Sequence, residues 1–478
     1  MPGSNSACGK CHLIVIQLAC SLPETGNFIS GSFNPANPMP HSHPLPGPVF
    51  DEPVFKEKKF LPDPTGFHIP HPSDGATYTK LGNLLFTQTT PIPPSAHAPG
   101  DLYSLAQAFG AKGPGVVDQI KQAGHIAFHM VGDTGAASTV KYSNELRVAD
   151  QMVTDFHVTD KTLRPSFFYH LGDIVYNFGE SKYYYDEFYE PYRNYPRPIL
   201  AVPGNHDSFV LPGTPAGQAP LDIFLRNFCA PQPAITPEAF SLHRTAQTQP
   251  GVYFTLDAPF VRIIGLFSNA LEDPGVISSE GGTWTNVSDV QLDYLRAQLQ
   301  RVRDEHYTGA VLLALHHPPF VYESPQGSGG TGHHGSSLNV LHDIDTICSS
   351  VGVYPHAVIS GHAHNYQRFT RKILLGTRHI EVPFVVCGNG GHGIIPIASA
   401  STRPAFGTDV SHIDAHPAIT SEGLTIEKFD DQNSGYLLVT VDGTRLRIAY
   451  HNTAGTSHAQ SRFDLVTIDL ASQIRVAN

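Results

Sequence analysis

Five short apolar runs in this 478-residue chain end in the same way. HIAFHMVGDTG stops at Asp133, SFFYHLGDIVY at Asp173 and Tyr176, PILAVPGNHD at Asn205, His206 and Asp207, AVLLALHHPPF at His316 and His317, and HAVISGHAHNYQR at His362 and His364. A short apolar run closed by Gly and polar residues reads as a buried strand. The stretches between them include SDVQLDYLRAQLQRV, an amphipathic helix with Ser288 or Asp289 at its cap. Strands alternating with helices predict a layered α/β domain. In open α/β sheets, ligands bind in the crevice beyond the carboxyl ends of the strands, which is where these side chains are delivered. One Gly-Asp or His-His at a strand end is an ordinary turn. Five in succession, all carrying Asp, Asn or His, require a fold that gathers strand ends around one site.

Charge narrows what that site handles. The formal net charge is −12, with 30 Lys plus Arg against 42 Asp plus Glu, so no basic patch suits nucleic acid or an anionic membrane. A phosphate would have to be met by metal, and the 27 histidines are the ligand type for it. A carboxylate such as Asp173 has two oxygens and can bridge two cations about 3.5–4 Å apart, the spacing that clamps both attacking and leaving oxygens of a phosphoryl group. Mixed nitrogen and oxygen donors from Asp, Asn and His select Fe, Mn or Zn over Mg and Ca. Gly132, Gly172, Gly204 and Gly361 let the backbone turn beside such metals. A tyrosine in the set restricts the choice further. A phenol with a pKa near 10 binds as phenolate only to a strongly polarising ion, and Fe(III) suits it better than Zn(II). The neighbouring YNFGESKYYYDEFYEPY holds other tyrosines that need only pack.

GDTG, GDIVY, GNHD, LHHPP and GHAHNYQR, in that order over about residues 125 to 370, resemble the signature of the calcineurin-like metallophosphoesterases. Tyr176, three residues after Asp173, together with GHxHxYxR, resembles the purple acid phosphatases within them. The resemblance implies a four-layer α/β/β/α sandwich with an irregular N-terminal extension. It implies a centre of two metal ions, Fe(III) plus a divalent Fe, Zn or Mn, that hydrolyses phosphate monoesters by attack of a metal-bound hydroxide on phosphorus. Carried over motif by motif, Asp133, Tyr176 and His364 take the ferric side, Asn205, His316 and His362 the divalent side, and Asp173 bridges. His316 is chosen because the family's ligand is the His followed by one residue and then Pro; His317 is the fallback. His206 resembles the general acid, Asp207 is expected to orient it or to cap the following turn, and His333 and His334 in the Gly-rich segment after HHPP are candidates for a second catalytic His. Plant members carry a carboxylate two residues after the ligand Tyr; Phe178 stands there and leaves His206 without that partner.

The rest of the chain is read more coarsely. Residues 1–65 are Pro-rich and predict an irregular arm, 66–120 an extension packing on the core with a strand pair around ATYTKLGNLLFTQTTP and a helix LYSLAQAF opened by Asp101, and 121–470 the catalytic domain. EVPFVVCGNGGHG and GYLLVTVDGTRLRIAYHN read as strands, the second a hairpin turning at Asp442-Gly443. His392 in the first reads as a turn residue, with reach to the site mouth as the alternative. CGKCH at residues 8–12 matches the pattern for c-type haem attachment, yet no helical haem domain follows it. The run HLIVIQLACSL is too short to span a bilayer, and no convincing signal peptide is visible, although the family resemblance implies a periplasmic or secreted protein. Cys229, Cys348 and Cys387 are scattered and predict no disulfide framework. The expected partner is a small phosphorylated substrate, with oligomeric state left open. The alternatives are a phosphodiesterase using the same metals and, from other classes, an idle binding protein or a haem-bearing redox fusion.

Overall fold

Each of the five apolar runs is a strand in the computed structural model of the protein. The structure describes residues 89–98, 100–210, 219–240, 242, 244–268, 272–322, 334–398, 401, 403–409, 419, 423–455 and 461–477. The predicted arm, the CGKCH match, most of the predicted 76–91 strand pair and His333 lie outside them. The first half runs β1 (Tyr103–Ser104), α1 (Leu105–Ala108), α2 (Gly113–Ala123), β2 (His125–Val131), α3 (Thr139–Thr154), β3 (Phe168–His170), β4 (Ile199–Ala201), α4 (Asp222–Phe228), β5 (Phe254–Ala258) and β6 (Val261–Gly265). Then follow α5 (Val290–Asp304), β7 (Ala310–Leu315), α6 (Leu338–Val351), β8 (Ala357–Ser360), β9 (Tyr366–Leu375), β10 (Arg378–Cys387), β11 (Thr408–Asp409), β12 (Leu424–Asp430), β13 (Gly435–Asp442), β14 (Arg445–Asn452), β15 (Arg462–Asp469) and β16 (Ile474–Val476).

Among the described residues these strands form two sheets. One has nine strands in the order β1-β5-β6-β7-β8-β10-β9-β12-β11, the other seven in the order β16-β15-β14-β13-β2-β3-β4. The site-bearing strands all lie in parallel pairs: β2, β3 and β4 in the smaller sheet, and β7 and β8 in the larger. Parallel strands are covered on both faces, which is why their sequences are unbroken apolar runs; all six residues of β7 are buried. With helices added, this is the α/β/β/α sandwich that the resemblance implies. β13 turns into β14 at Asp442-Gly443, where Asp442 Oδ1 accepts the backbone N–H groups of Thr444 (2.8 Å) and Arg445 (2.9 Å). That hairpin joins the smaller sheet through β13 on β2.

Two helix starts differ from expectation. α1 is opened by Ser104, which accepts the N–H of Gln107 while Gln107 accepts the N–H of Ser104, a reciprocal capping box. Asp101 instead accepts the Ala98 N–H at 3.0 Å. α5 begins after Asp289, but that carboxylate is drawn to the Ser279 N–H at 2.7 Å, so the helix has no side-chain cap. The extension also goes further into the core than a packed appendage: β1 lies parallel to β5 at the edge of the nine-stranded sheet. Cys229, Cys348 and Cys387 are all free. Among the described residues no helix is long and apolar enough to cross a membrane.

The inner faces of the sheets meet in a continuous apolar core. Tyr169 of β3 stacks on Phe254 of β5 at 5.8 Å. A polar staple stands beside it: Arg368 of β9 reaches Asp464 of β15 through Nε (2.6 Å) and Nη2 (3.0 Å). The Tyr366 hydroxyl donates to the same carboxylate at 2.7 Å, and the Tyr366 ring lies flat on Tyr450 at 3.9 Å. The Tyr and Arg of GHAHNYQR therefore join the sheets. Burial alone would raise the Asp464 pKa, but Arg368 and Tyr366 outweigh it and the net shift is downward. A depressed carboxylate contributes stability above its unfolded value of about 3.9, and that contribution is lost as pH falls through the lower folded value. Asp464→Ala, which strands a buried guanidinium, should cost about 3–5 kcal/mol at pH 7. In guanidinium melts the gap from the natural protein should shrink once pH drops below about 4; a constant gap would show that the pair is not the source.

Candidate metal centre

The site is built from loops that leave the parallel strands in strained conformations. Asp133, Asp173 and His362 all have left-handed backbones, with φ of 57°, 57° and 66°, a state that non-glycine residues adopt at a cost and that clusters at functional sites. Room for them comes from glycine. A Cβ on Gly204 would overlap Asp173 Oδ1, and one on Gly172 (φ 97°) would press on His316 Nδ1.

One carboxylate organises two of these loops. Asp207 Oδ2 accepts the backbone N–H groups of Asp173 and Gly204, both at 2.9 Å, and Oδ1 accepts that of Ile174 at 3.1 Å. The expected orientation of His206 by Asp207 is thereby replaced. Its oxygens are engaged by main-chain amides, and His206 Nδ1 donates instead to the Asn177 carbonyl at 3.0 Å. That carbonyl occupies the role left vacant by Phe178, which is buried. His206 Nε2 is then left facing Asp173 Oδ2 at 3.8 Å.

The remaining candidates converge. The Nδ1 of His316 must carry hydrogen, because it meets the Leu171 carbonyl at 2.8 Å. Its Nε2 therefore directs a lone pair at Asn205 Oδ1 (3.0 Å) and Asp173 Oδ2 (3.3 Å). His362 is arranged alike. Its Nε2 donates to Asp273 Oδ1 at 3.2 Å, so Nδ1 presents a lone pair to Asn205 Oδ1 at 3.2 Å and to His316 Nε2 at 3.3 Å. Buried lone pairs that face one another repel unless a cation lies between them. Asp173, His316 and His362 offer ligand atoms all within 4.8 Å of one another. In the chain alone a proton takes that place: burial opposes protonation of His316, but Asp173 and Asp133 outweigh it and raise the pKa to about 9. The Asp173 pKa moves the other way; burial would raise it, and His316 with His206 drives it far down. The donor set and its field thus fit a metal ion.

A second group adjoins the first. The Tyr176 hydroxyl lies 3.3 Å from Asp133 Oδ1 and 3.2 Å from His364 Nε2, and His364 Nε2 is 3.4 Å from Asp133 Oδ1. His317 turns elsewhere, its Nδ1 to the Ser268 hydroxyl at 2.8 Å. His334 packs over the centre, with its ring 4.6 Å from that of His362 and 4.7 Å from that of His364. Burial lowers the pKa of His206 to about 4, with Asp173 opposing, and holds that of His334 well below the usual imidazole value, with His364 adding.

Four residues here escape a reading by strand ends. Asp273 orients His362, Glu187 accepts the Tyr176 N–H at 2.9 Å, and His392 stacks on Tyr176 at 3.4 Å while Lys141 donates to it at 2.7 Å. Asp273 and Glu187 stand in long connections with no periodic signal. His392 stands in the bend that its sequence predicts, and its ring, from there, packs on Tyr176. A cavity of about 890 Å³ between α2 and residues 161–166 lies at the opposite ends of the strands and has no part in this centre.

The model of the family described as calcineurin-like phosphoesterase matches residues 128–366, half of the 478-residue chain. No curated protein matches the chain. Similar solved structures include GAP50, described as the anchor in the inner membrane complex of Plasmodium, at 11% identity and a TM-score of 0.45 over 71% of this chain and 87% of that one. Another is PhoD, at 14% identity and a TM-score of 0.39 over 74% and 72% of the two chains.

The amides held by Asp207 give a test of the loop geometry. Asp207→Asn should lower the stability of the metal-free protein by roughly 1–3 kcal/mol, since buried donors lose their acceptor. A thermal melt coincident with that of the natural protein would mean that the loops hold without it.

Proposed function

The chain belongs to the calcineurin-like phosphoesterase family, whose members are metal-dependent phosphoester hydrolases, and we propose that within it this protein is a dinuclear phosphomonoesterase of the purple acid phosphatase kind. The observation that carries the reading is the Tyr176 phenol between Asp133 and His364, 3.3 and 3.2 Å away, beside the Asp173, His316 and His362 cluster. Asp133, Tyr176 and His364 would hold a ferric ion, Asn205, His316 and His362 a divalent Fe, Zn or Mn, and Asp173 both. When bound, such a pair supplies Lewis acidity toward phosphoryl oxygens and a nucleophile at neutral pH.

The chain's own residues supply the rest. Asn205 and Asp173 are fixed against each other by the His206 N–H, which donates to Asp173 Oδ1 at 2.9 Å. The Asn177 carbonyl holds the His206 ring so that Nε2 faces the centre. From there it would deliver a proton to the departing alkoxide. His334, packed against His362 and His364, would act as the second catalytic His. Burial lowers the pKa of both imidazoles in the chain alone, and the dianionic substrate would provide the charge that favours their protonation.

Two measurements test the reading. Metal analysis of the purified protein should find two metals, one of them iron, with a visible tyrosinate-to-Fe(III) charge-transfer band that vanishes in Tyr176→Phe; a colourless, fully active protein containing Zn or Mn would overturn the ferric assignment. Aryl phosphate monoester should be hydrolysed faster than the matching diester, with both activities lost in Asp173→Asn. The reverse preference would assign the centre to diester hydrolysis.

A further inference from the structure

Tyr176 lies between two imidazoles. On one side is His206, with ring centroids 4.0 Å apart and planes 39° apart; on the other is His392, at 3.4 Å and 18°. The second contact is close to face-on. Two electron-rich faces repel in that arrangement, so aromatic pairs ordinarily slip or turn edge-on. It becomes favourable if one ring is made electron-poor.

The hydrogen bonds of His392 do this. Its Nδ1 lies 2.6 Å from the Gly135 carbonyl, which can only accept, so Nδ1 carries hydrogen. Nε2 is therefore an acceptor, and the Lys141 ammonium donates to it at 2.7 Å. Lys141 stands in the first turn of α3, which is capped by Ser138. The His392 backbone N–H donates to the Asp133 carbonyl at 3.0 Å. The imidazole is thus tied to the Asp133 loop at two points and to α3 at a third, and it passes the polarisation of a cation to the face of Tyr176.

We propose that His392 and Lys141 are positioning residues that fix the Tyr176 ring beside Asp133 and His364 and offset its negative charge as a phenolate. The charge half of this rests on the ferric reading above; the positioning half does not. A buried phenolate beside the Asp133 and Asp173 carboxylates adds anionic charge, and a neighbouring ammonium acting through a hydrogen-bonded ring favours the charged form. Outer partners of this kind commonly alter metal affinity by about 10- to 100-fold.

The test has a metal-free arm and a metal-loaded arm, both on the full chain. In protein labelled with 3-fluorotyrosine and stripped of metal, the Tyr176 fluorine resonance, identified by its loss in Tyr176→Phe, should lie upfield under the His392 ring. It should move downfield in His392→Ala and partway in Lys141→Met, and stay in place in Lys141→Arg. If it is unchanged in His392→Ala and Lys141→Met, the positioning role is overturned, whatever the metal. In the loaded protein, removing the cation raises the energy of the phenolate donor, so Lys141→Met should shift the charge-transfer band to longer wavelength. Lys141→Arg should restore it. A coloured Lys141→Met protein with the natural band would overturn the charge role. A colourless natural protein would remove both the ferric reading and the charge role, and the fluorine measurement would still decide positioning.

Discussion

The centre depends first on a carboxylate that faces away from it. Asp207 collects the N–H groups of Asp173, Ile174 and Gly204, which leave β3 and β4 with no ladder partner beyond the strand ends. Main-chain donors buried in this way need an acceptor. Supplying one from the GNHD loop folds the two turns onto each other. The turn that carries Asp173 and the turn that carries Asn205 are held together before any ion arrives. Binding then orders little, and the ion meets oxygens already facing it.

A similar economy governs the imidazoles. Each has two nitrogens, and the protein commits one of them to a structural acceptor: Leu171 for His316, Asp273 for His362, Asn177 for His206 and Gly135 for His392. Three of the four acceptors are backbone carbonyls of the loops that follow β2 and β3. The remaining nitrogen faces the site or its second layer in a known tautomer. The rigidity of the sandwich, maintained by the Arg368–Asp464 staple and the apolar layer between the sheets, thus sets the direction of each lone pair.

This division explains what could be read in the chain. Strands buried on both faces leave unbroken apolar runs, so β2, β3, β4, β7 and β8 were legible, and with them the polar residues at their ends. The sandwich and its family were legible for the same reason. Asp207 was visible as a residue but not in its role, because a carboxylate that collects main-chain amides and one that orients a side chain have the same local sequence. Asp273, Glu187 and Lys141 act across 89, 11 and 251 residues of chain; no local pattern marks them. The Ser104 cap displaced the Asp101 start because both residues are capping types three positions apart, and only backbone conformation separates them.

The two residues of β1 also show that the folded unit begins ahead of the recognisable signature. Paired in parallel with β5, they occupy the outer side of a strand that would otherwise present bare N–H and C=O groups. A chain cut at the start of the recognisable signature, near residue 121, would keep every residue of the metal centre yet leave the β5 edge open. Such an edge recruits strands from other molecules. The segment ahead of the signature therefore protects solubility as much as it adds mass, and a boundary drawn from the catalytic motifs alone would fall inside the sheet.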